Sequence, residues 1–255
     1  MKNAIQKILN KFGFELRRIE PFPPGSPNRS VGSMRRLLED LKVRGLSCHA
    51  IMDVGANRGH WSAMAKVVFP EARFCLIEPQ IEMEGDLRSF CDQANNSVYY
   101  IAGAGAVASE KYLTIWDDLA GSSFLPSEDE QLKGAGKQRK ISIVTIDSIV
   151  KNDGFDIPGL VKLDIQGYEI EALKGADSLF GQTEVFILEV SLFSFADNPG
   201  MPVLADIINF MLERNYVIYD FPGFSRRPLD GALGQCDICF VKKDGFLRAS
   251  NKWGG

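Results

Sequence analysis

IMDVGANRGHWSAMAKVVFPEARFCLIEPQ, from Ile51 to Gln80, is the stretch whose reading decides the fold. Ile51 to Val54 is a short apolar strand interrupted by Asp53, and Gly55 to Gly59 is a turn. From His60 to Phe69 the spacing is helical, with Trp61, Met64, Ala65 and Val68 on one face. Pro70 ends that helix, and Arg73 to Ile77 is a second strand that closes on Glu78 and Pro79. Strand, glycine turn, helix and a second strand ending in a carboxylate make one βαβ unit with a nucleoside pocket at its strand ends. Helix N-terminal amides face such a ligand, and Glu78 can accept both ribose hydroxyls.

The spacing inside the turn bears on which nucleoside fits. A dinucleotide fingerprint places Gly at i, i+2 and i+5, so that backbone can approach a pyrophosphate. Here Gly55 and Gly59 are the glycines, Asn57 stands at i+2 and His60 at i+5. A side chain at i+2 narrows the phosphate approach, and the Asp53 carboxylate repels a pyrophosphate. S-adenosylmethionine has no phosphate and carries two cationic centres, so an acidic strand end favours it over NAD. The plainer alternative is that Gly55 and Gly59 only shape a tight βα turn, but Glu78 falls where a ribose needs it.

Composition places few limits beyond this. The 255 residues suit a large α/β domain, and 45% hydrophobic with 24% charged is an ordinary globular balance. A net charge of −4 argues against nucleic acid as the main partner. No apolar run is long enough to span a bilayer and no secretory pattern opens the chain, so a cytoplasmic protein is expected. Five cysteines, scattered and odd in number, do not suggest a disulfide framework. Cys236 and Cys239 have C-x-x-C spacing but sit in an apolar run without a second pair, which reads as core packing.

Residues 1–19 put Ala4, Ile5, Ile8, Leu9 and Phe12 on one helical face, fit to dock on the domain, on a second subunit in a homo-oligomer, or on a membrane surface. Docking is preferred, because the apolar face is short. A Pro-rich linker, Pro21 to Pro27, follows, and Ser33 to Leu46 is a helix with Met34, Leu37, Leu38 and Leu41 inward. Residues 1–45 are therefore expected to pack on a domain formed by 46–255. Further helices are expected over Gln80–Gln93, Glu169–Leu179 and Met201–Arg214, with Asp147 or Ser148 capping a short one after Thr145. Strands are expected at Val98–Ala102, Lys111–Trp116, Lys140–Ile146, Leu160–Ile165, Val185–Val190, Tyr216–Asp220 and Asp237–Lys242. Small residues from Gly103 to Ala106 could lie against an adenine ring, or simply make a bulge. Gly121–Gly136 reads as an inserted hairpin or flap over the pocket, and Phe221–Gln235, with Arg226 and Arg227, as a loop at its mouth. Asp164 and Glu189 close successive strands, so in a parallel sheet both point toward the ligand crevice.

Two motifs carry a resemblance running from about Ile51 to Val241. Asp53-Val-Gly-Ala-Asn57, Gly59 and Glu78-Pro79 form the first; Val161-Lys-Leu-Asp164-Ile-Gln-Gly167-Tyr-Glu169 with Leu173-Lys-Gly-Ala176 forms the second. Together they resemble the FkbM family of S-adenosylmethionine-dependent methyltransferases. The first motif alone marks the class I methyltransferases, and the second is the more specific. Gln166 departs from the family, which often has Glu there, and His60 has no counterpart that we recognise in the family pattern.

The resemblance implies an α/β, Rossmann-like class I methyltransferase fold: a mostly parallel seven-stranded sheet, one strand antiparallel, with helices on both faces. It implies an O-methyltransferase acting on a hydroxyl of a sugar, glycan or secondary metabolite. A non-catalytic S-adenosylmethionine-binding subunit and an NAD-linked oxidoreductase are the alternatives. Cofactor contacts are expected from Asp53, Gly55, Ala56, Asn57, Gly59, Glu78, Pro79, Gly105, Ala106 and Asp164, and catalysis from Asp164 and Glu189. Asp164 could equally cap the following helix, Glu189 could be an ordinary ion-pair partner, and Glu169 reads as a residue that pairs with a base or complements the helix dipole. A neutral His60 could serve as a base but reads better as a packing residue. Asp164 and Glu189 could share a Mg²⁺, though no D-x-D or H-x-x-x-H cluster supports one.

Overall fold

In the computed structural model, which describes residues 22–94, 96–195 and 200–253, Ser33 caps a helix over Met34–Val43 (α1) by accepting from Arg36 N. All five residues of the next strand, Ala50–Val54 (β1), are buried, as in a sheet covered on both faces. The chain continues through His60–Val68 (α2), Arg73–Glu78 (β2), Glu84–Asp92 (α3), Val98–Ile101 (β3), Gly103–Ala104 (β4) and Ser109–Thr114 (β5). Glu130–Gly134 (α4), Gln138–Val144 (β6), Ile146–Asn152 (α5), Leu160–Leu163 (β7), Glu169–Lys174 (α6) and Val185–Ser191 (β8) follow. Leu204–Glu213 (α7), Tyr216–Arg226 (β9) and Leu233–Lys242 (β10) complete it.

Seven strands form one sheet in the order β3-β2-β1-β7-β8-β10-β9. The β3-to-β8 portion is parallel, and β10 runs antiparallel between β8 and β9. This is the seven-stranded, mostly parallel sheet that the resemblance implies. Strand alternation sorts its side chains. Met52, Val54, Val161, Leu163, Phe186 and Leu188 pack under α5, α6 and α7, through Ile149, Leu173, Ile207 and Met211. Ile51, Phe74, Leu160 and Ile187 pack under α1, α2 and α3, through Leu37, Leu41, Ala65 and Leu87. Order reverses between β1 and β7, so the crevice at the strand C-termini opens there.

The insertion is a second sheet of three strands, β4-β6-β5. Leu113, Phe124 and Ile143 pack on Tyr168 and carry the flap against the turn after β7. Its long loop also holds α4, capped by Asp129.

Several expected elements are corrected. Phe221–Gln235 is a long hairpin, with β9 reaching Arg226 and β10 starting at Leu233. Pro222 and Gly223 suggest a break, but β9 is an edge strand, where a missing N–H is tolerated, and bulges absorb the irregularity. The Gln80–Gln93 segment begins with a tighter 3₁₀ turn, Ile81–Met83. The helix at Glu169 ends at Lys174, and Asp177–Leu179 is a separate turn. Thr145 is the cap of α5, accepting from Ser148 N at 3.0 Å, and Asp147 instead accepts from Ser178 N at 2.9 Å.

The segment before α1 lies on the domain through Asp40, which is fully buried. Gly25 N donates to Asp40 at 2.8 Å, Arg44 Nε at 2.9 Å and the Tyr219 hydroxyl at 3.1 Å, with Arg29 beside them. The helix expected over residues 1–19, with any oligomeric role, lies outside the described residues.

Candidate cofactor and active site

The turn after β1 is shaped by close backbone approach. Gly55 has φ +81°, and its amide and that of Ala56 donate to Ile77 O at 2.8 and 3.1 Å. A Cβ on Gly55 would stand 2.0 Å from the carbonyl oxygen of Asp164. The first motif therefore fits against the second only with glycine at that position. Asn57, at φ +48°, turns the chain so that its own N–H donates to Glu78 Oε2 at 2.8 Å.

Glu78 ends β2 and is 3% exposed. Its other oxygen accepts from Gln80 N at 3.0 Å and Gln80 Nε2 at 3.2 Å. Burial pushes its carboxyl above the usual range, and these three donors oppose that shift. Gln80 Nε2 also reaches Leu119 O at 3.0 Å, tying the end of β2 to the flap.

Above these strand ends lies a cavity of about 350 Å³. Gly55, Ala56, Asn57, Glu78 and Pro79 line one side, and Lys162, Asp164, Gln166 and Glu189 the other. Ser122, Ser123 and Phe124 of the flap roof it. Two buried polar atoms on lining residues, Trp61 Nε1 and Gln80 Oε1, have no hydrogen-bond partner among the described residues. One orphaned donor and one orphaned acceptor call for a polar ligand.

Some expected contacts sit elsewhere. Asp53 is fully buried behind the wall, taking a 2.7 Å hydrogen bond from Ser62 Oγ. Burial raises its carboxyl, opposed by the neighbouring Lys162 charge. Gly59 caps α2 with φ +74° and does not face the cavity. Ala102, Gly103 and Ala104 form the wall after β3, whereas Gly105 and Ala106 do not line it. Gly105 is small for another reason: an added Cβ would lie 2.8 Å from the Ile143 side chain, while a Cβ on Gly175 would lie 2.1 Å from the Gly105 carbonyl, so the end of α6 closes directly on this segment. At Gly103 an added Cβ would be 2.4 Å from the Phe124 ring, so glycine lets the flap shut.

The second cluster has one cation among several carboxylates. Lys162 is 5% exposed and donates to Asp164 Oδ2 at 2.7 Å. Gln166, at φ +53°, donates from Nε2 to Asp164 Oδ1 at 3.0 Å and to Glu189 Oε2 at 2.7 Å. The adjacent ammonium holds Asp164 below the ordinary carboxylate range despite burial. Burial and the neighbouring Asp164 charge push Glu189 to about 8, so it carries a proton at neutral pH and shares it with Asp164. Among the described residues no set of three or more His, Cys, Asp or Glu is arranged to hold a metal ion.

Glu169 does not behave as a helix-terminus charge. It is 3% exposed and accepts from Ile165 N at 3.1 Å and Gly167 N at 3.2 Å, with its carboxyl raised to about 7 by burial. It holds the turn that presents Gln166. His60 lines the cavity but is exposed.

Residues 53–218, well over half of the chain, match the family described as "Methyltransferase FkbM domain". The chain belongs to the FkbM methyltransferase family. This FkbM-family chain aligns with the methyltransferase FkbM from Methylobacillus flagellatus KT at 21% identity and TM-score 0.48. That match covers 75% of this chain and 44% of the other, so the chain spans less than half of that protein's length. The precorrin-6y C5,15-methyltransferase from Geobacter metallireducens GS-15 aligns at 16% identity and TM-score 0.45, covering 82% and 87% of the two chains. An rRNA methylase from Streptococcus thermophilus aligns at 8% identity and TM-score 0.47, covering 84% and 99%. No curated protein matches the chain. No helix among the described residues is long and apolar enough to cross a membrane.

Neither Trp61 nor Gln80 stands out in the sequence of this FkbM-family chain, because orphaned polar atoms emerge only from packing. Lys162 was more accessible: it lies two residues before Asp164, hence on the same strand face.

Proposed function

We propose that this FkbM-family protein is an S-adenosylmethionine-dependent O-methyltransferase acting on a hydroxyl of a sugar, glycan or secondary metabolite. The observation that carries the proposal is the cavity spanning Glu78 at one end and the Asp164–Glu189 pair at the other. A buried carboxylate suits a ribose diol, and a pair sharing one proton suits removal of a hydroxyl proton. The orphaned Trp61 donor and Gln80 acceptor fit a polar ligand. When bound, S-adenosylmethionine supplies an electrophilic methyl group on a sulfonium.

In this proposal Glu78 holds the ribose hydroxyls, while the backbone from Gly55 to Asn57 lies along the ligand. Pro79 and the Ala102–Ala104 wall enclose its flat ring, and Phe124 with the flap excludes water. Asp53, out of reach behind the wall, contributes negative potential rather than contact. Glu189 is the base. Its raised midpoint makes the ionised form a minority at neutral pH; that form, growing as pH rises toward 8, takes the acceptor proton, and Asp164, pinned by Lys162, orients it. The soluble interior of the cell is the proposed setting, and a small molecule or glycan rather than nucleic acid the proposed partner.

The test is turnover with methyl-labelled S-adenosylmethionine and a panel of hydroxylated sugars, glycans and phenols. Acceptor-dependent S-adenosylhomocysteine formation, lost in Asp164→Asn and Glu189→Gln, is expected. Tight cofactor binding with no turnover on any member, and stable capture of a partner enzyme, would favour the non-catalytic subunit instead.

A further inference from the structure

Gln235 stands outside residues 53–218, the part that matches the family. It lies at the start of β10, opposite Ser191 of β8 and one pleat beyond the Asp237–Glu189 pair. Its side chain reaches into the carboxylate cluster: Nε2 donates to Glu189 Oε2 at 3.1 Å and to Gln166 Oε1 at 3.3 Å. Gln166 spends its own amide on Asp164 and on the same Glu189 oxygen. Glu189 Oε2 thus accepts two amide N–H groups, which leaves Oε1 as the oxygen that takes up a proton. The two glutamines form a chain running from the closing hairpin to Asp164.

We propose that Gln235 is a positioning residue for methyl transfer, one that locks Gln166 and Glu189 so that the Glu189 proton sits on the oxygen shared with Asp164. This inference rests on the proposed base role of Glu189. A hydrophobic side chain at 235 removes one donor from Glu189 Oε2 and frees Gln166 to rotate. Loss of a donor to the ionised form favours the neutral one, so the Glu189 midpoint moves upward. The charged groups around Glu189 are Lys162 on β7, Asp164 in the turn after it and Asp237 on β10, with the Cys236 thiol beside them on β10. Across the cavity stand Glu78, Arg58 and His60. None of these is altered by a change at 235.

The experiment is a carbon-13 NMR titration of side-chain carboxyls in the full chain, without cofactor or acceptor. In the wild type, the Gln235 and Gln166 side-chain amide resonances are expected to move with the same midpoint as the Glu189 carboxyl. In Gln235→Leu and Gln235→Met that midpoint is expected to rise by about half a pH unit or more. Gln235 amide resonances that do not follow Glu189 in the wild type would overturn the proposal even if neither variant folds. So would an unchanged midpoint in a folded variant. Because the readout needs neither S-adenosylmethionine nor turnover, a failure of the methyltransferase proposal shows separately, as absence of cofactor binding.

Discussion

Gly55 and Asp164, 109 positions apart in the numbering, meet so closely that a Cβ on the first would stand 2.0 Å from the carbonyl oxygen of the second. That contact joins the loop after β1 to the turn after β7 and sets the width of the cavity between them. Gly55→Ala would have to move one of the two, at a φ of +81° that alanine disfavours. We expect S-adenosylhomocysteine affinity to fall by about 100-fold or more, roughly 2.7 kcal/mol, with a lowered thermal midpoint. Calorimetry and a circular dichroism melt measure both. Wild-type affinity in this variant would show that the two motifs do not form one site.

Glu78 is the second test of the cofactor end. Glu78→Ala removes the acceptor for Asn57 N and Gln80 N as well as the proposed ribose contact. We expect at least a tenfold loss of cofactor affinity, about 1.4 kcal/mol. Unchanged calorimetric affinity would move the ligand away from β2.

Glu189 predicts a pH dependence with a definite sign. Its folded midpoint, about 8, lies above the ordinary carboxyl value, so the folded state binds the proton more tightly than the unfolded one. The stability this contributes is complete below the unfolded midpoint, about 4.3, and is lost as pH rises through the folded midpoint. Glu189→Gln cannot ionise. Relative to wild type, it should gain on the order of 4 kcal/mol between about pH 5 and pH 8.5 in urea melts. Parallel pH profiles for the two proteins would show that Glu189 is not held protonated by the fold.

Asp40 predicts how firmly the segment before α1 is attached. Its carboxylate is fully buried and collects Gly25 N, Arg44, Tyr219 and Arg29. Asp40→Ala strands those donors, although both arginines can turn toward water. We expect a loss of about 2–4 kcal/mol in urea unfolding, and earlier proteolysis before Met34. A loss below 1 kcal/mol, roughly the worth of a surface pair, would mean the segment is only loosely held.

Much of this was legible from residue order, for physical reasons. Buried parallel strands need continuous apolar runs, so Ile51–Val54, Leu160–Leu163 and Val185–Val190 announce themselves, and their carboxylates mark the strand ends where a ligand sits. Edge strands do not carry that signal. Pro222 and Gly223 look like breakers because pattern reading cannot tell which strand lies at an edge. Gly103–Ala106 is uniformly small in sequence, and only packing shows that Gly103 and Ala104 line the cavity while Gly105 lies against Ile143. The charge of Asp53 is visible in the sequence, and its full burial is not. Gln235 gave no sign at all: an amide at the start of a strand becomes informative only when register sets it beside Glu189.

Whether the cavity holds an adenosyl ligand is the central question. Calorimetric titration of the purified chain with S-adenosylmethionine, S-adenosylhomocysteine and NAD, each with and without Mg²⁺, measures that. Micromolar binding of the first two and none of NAD is expected. Binding of NAD with neither adenosyl ligand bound would contradict this, and would make the turn from Gly55 to Gly59 a dinucleotide site.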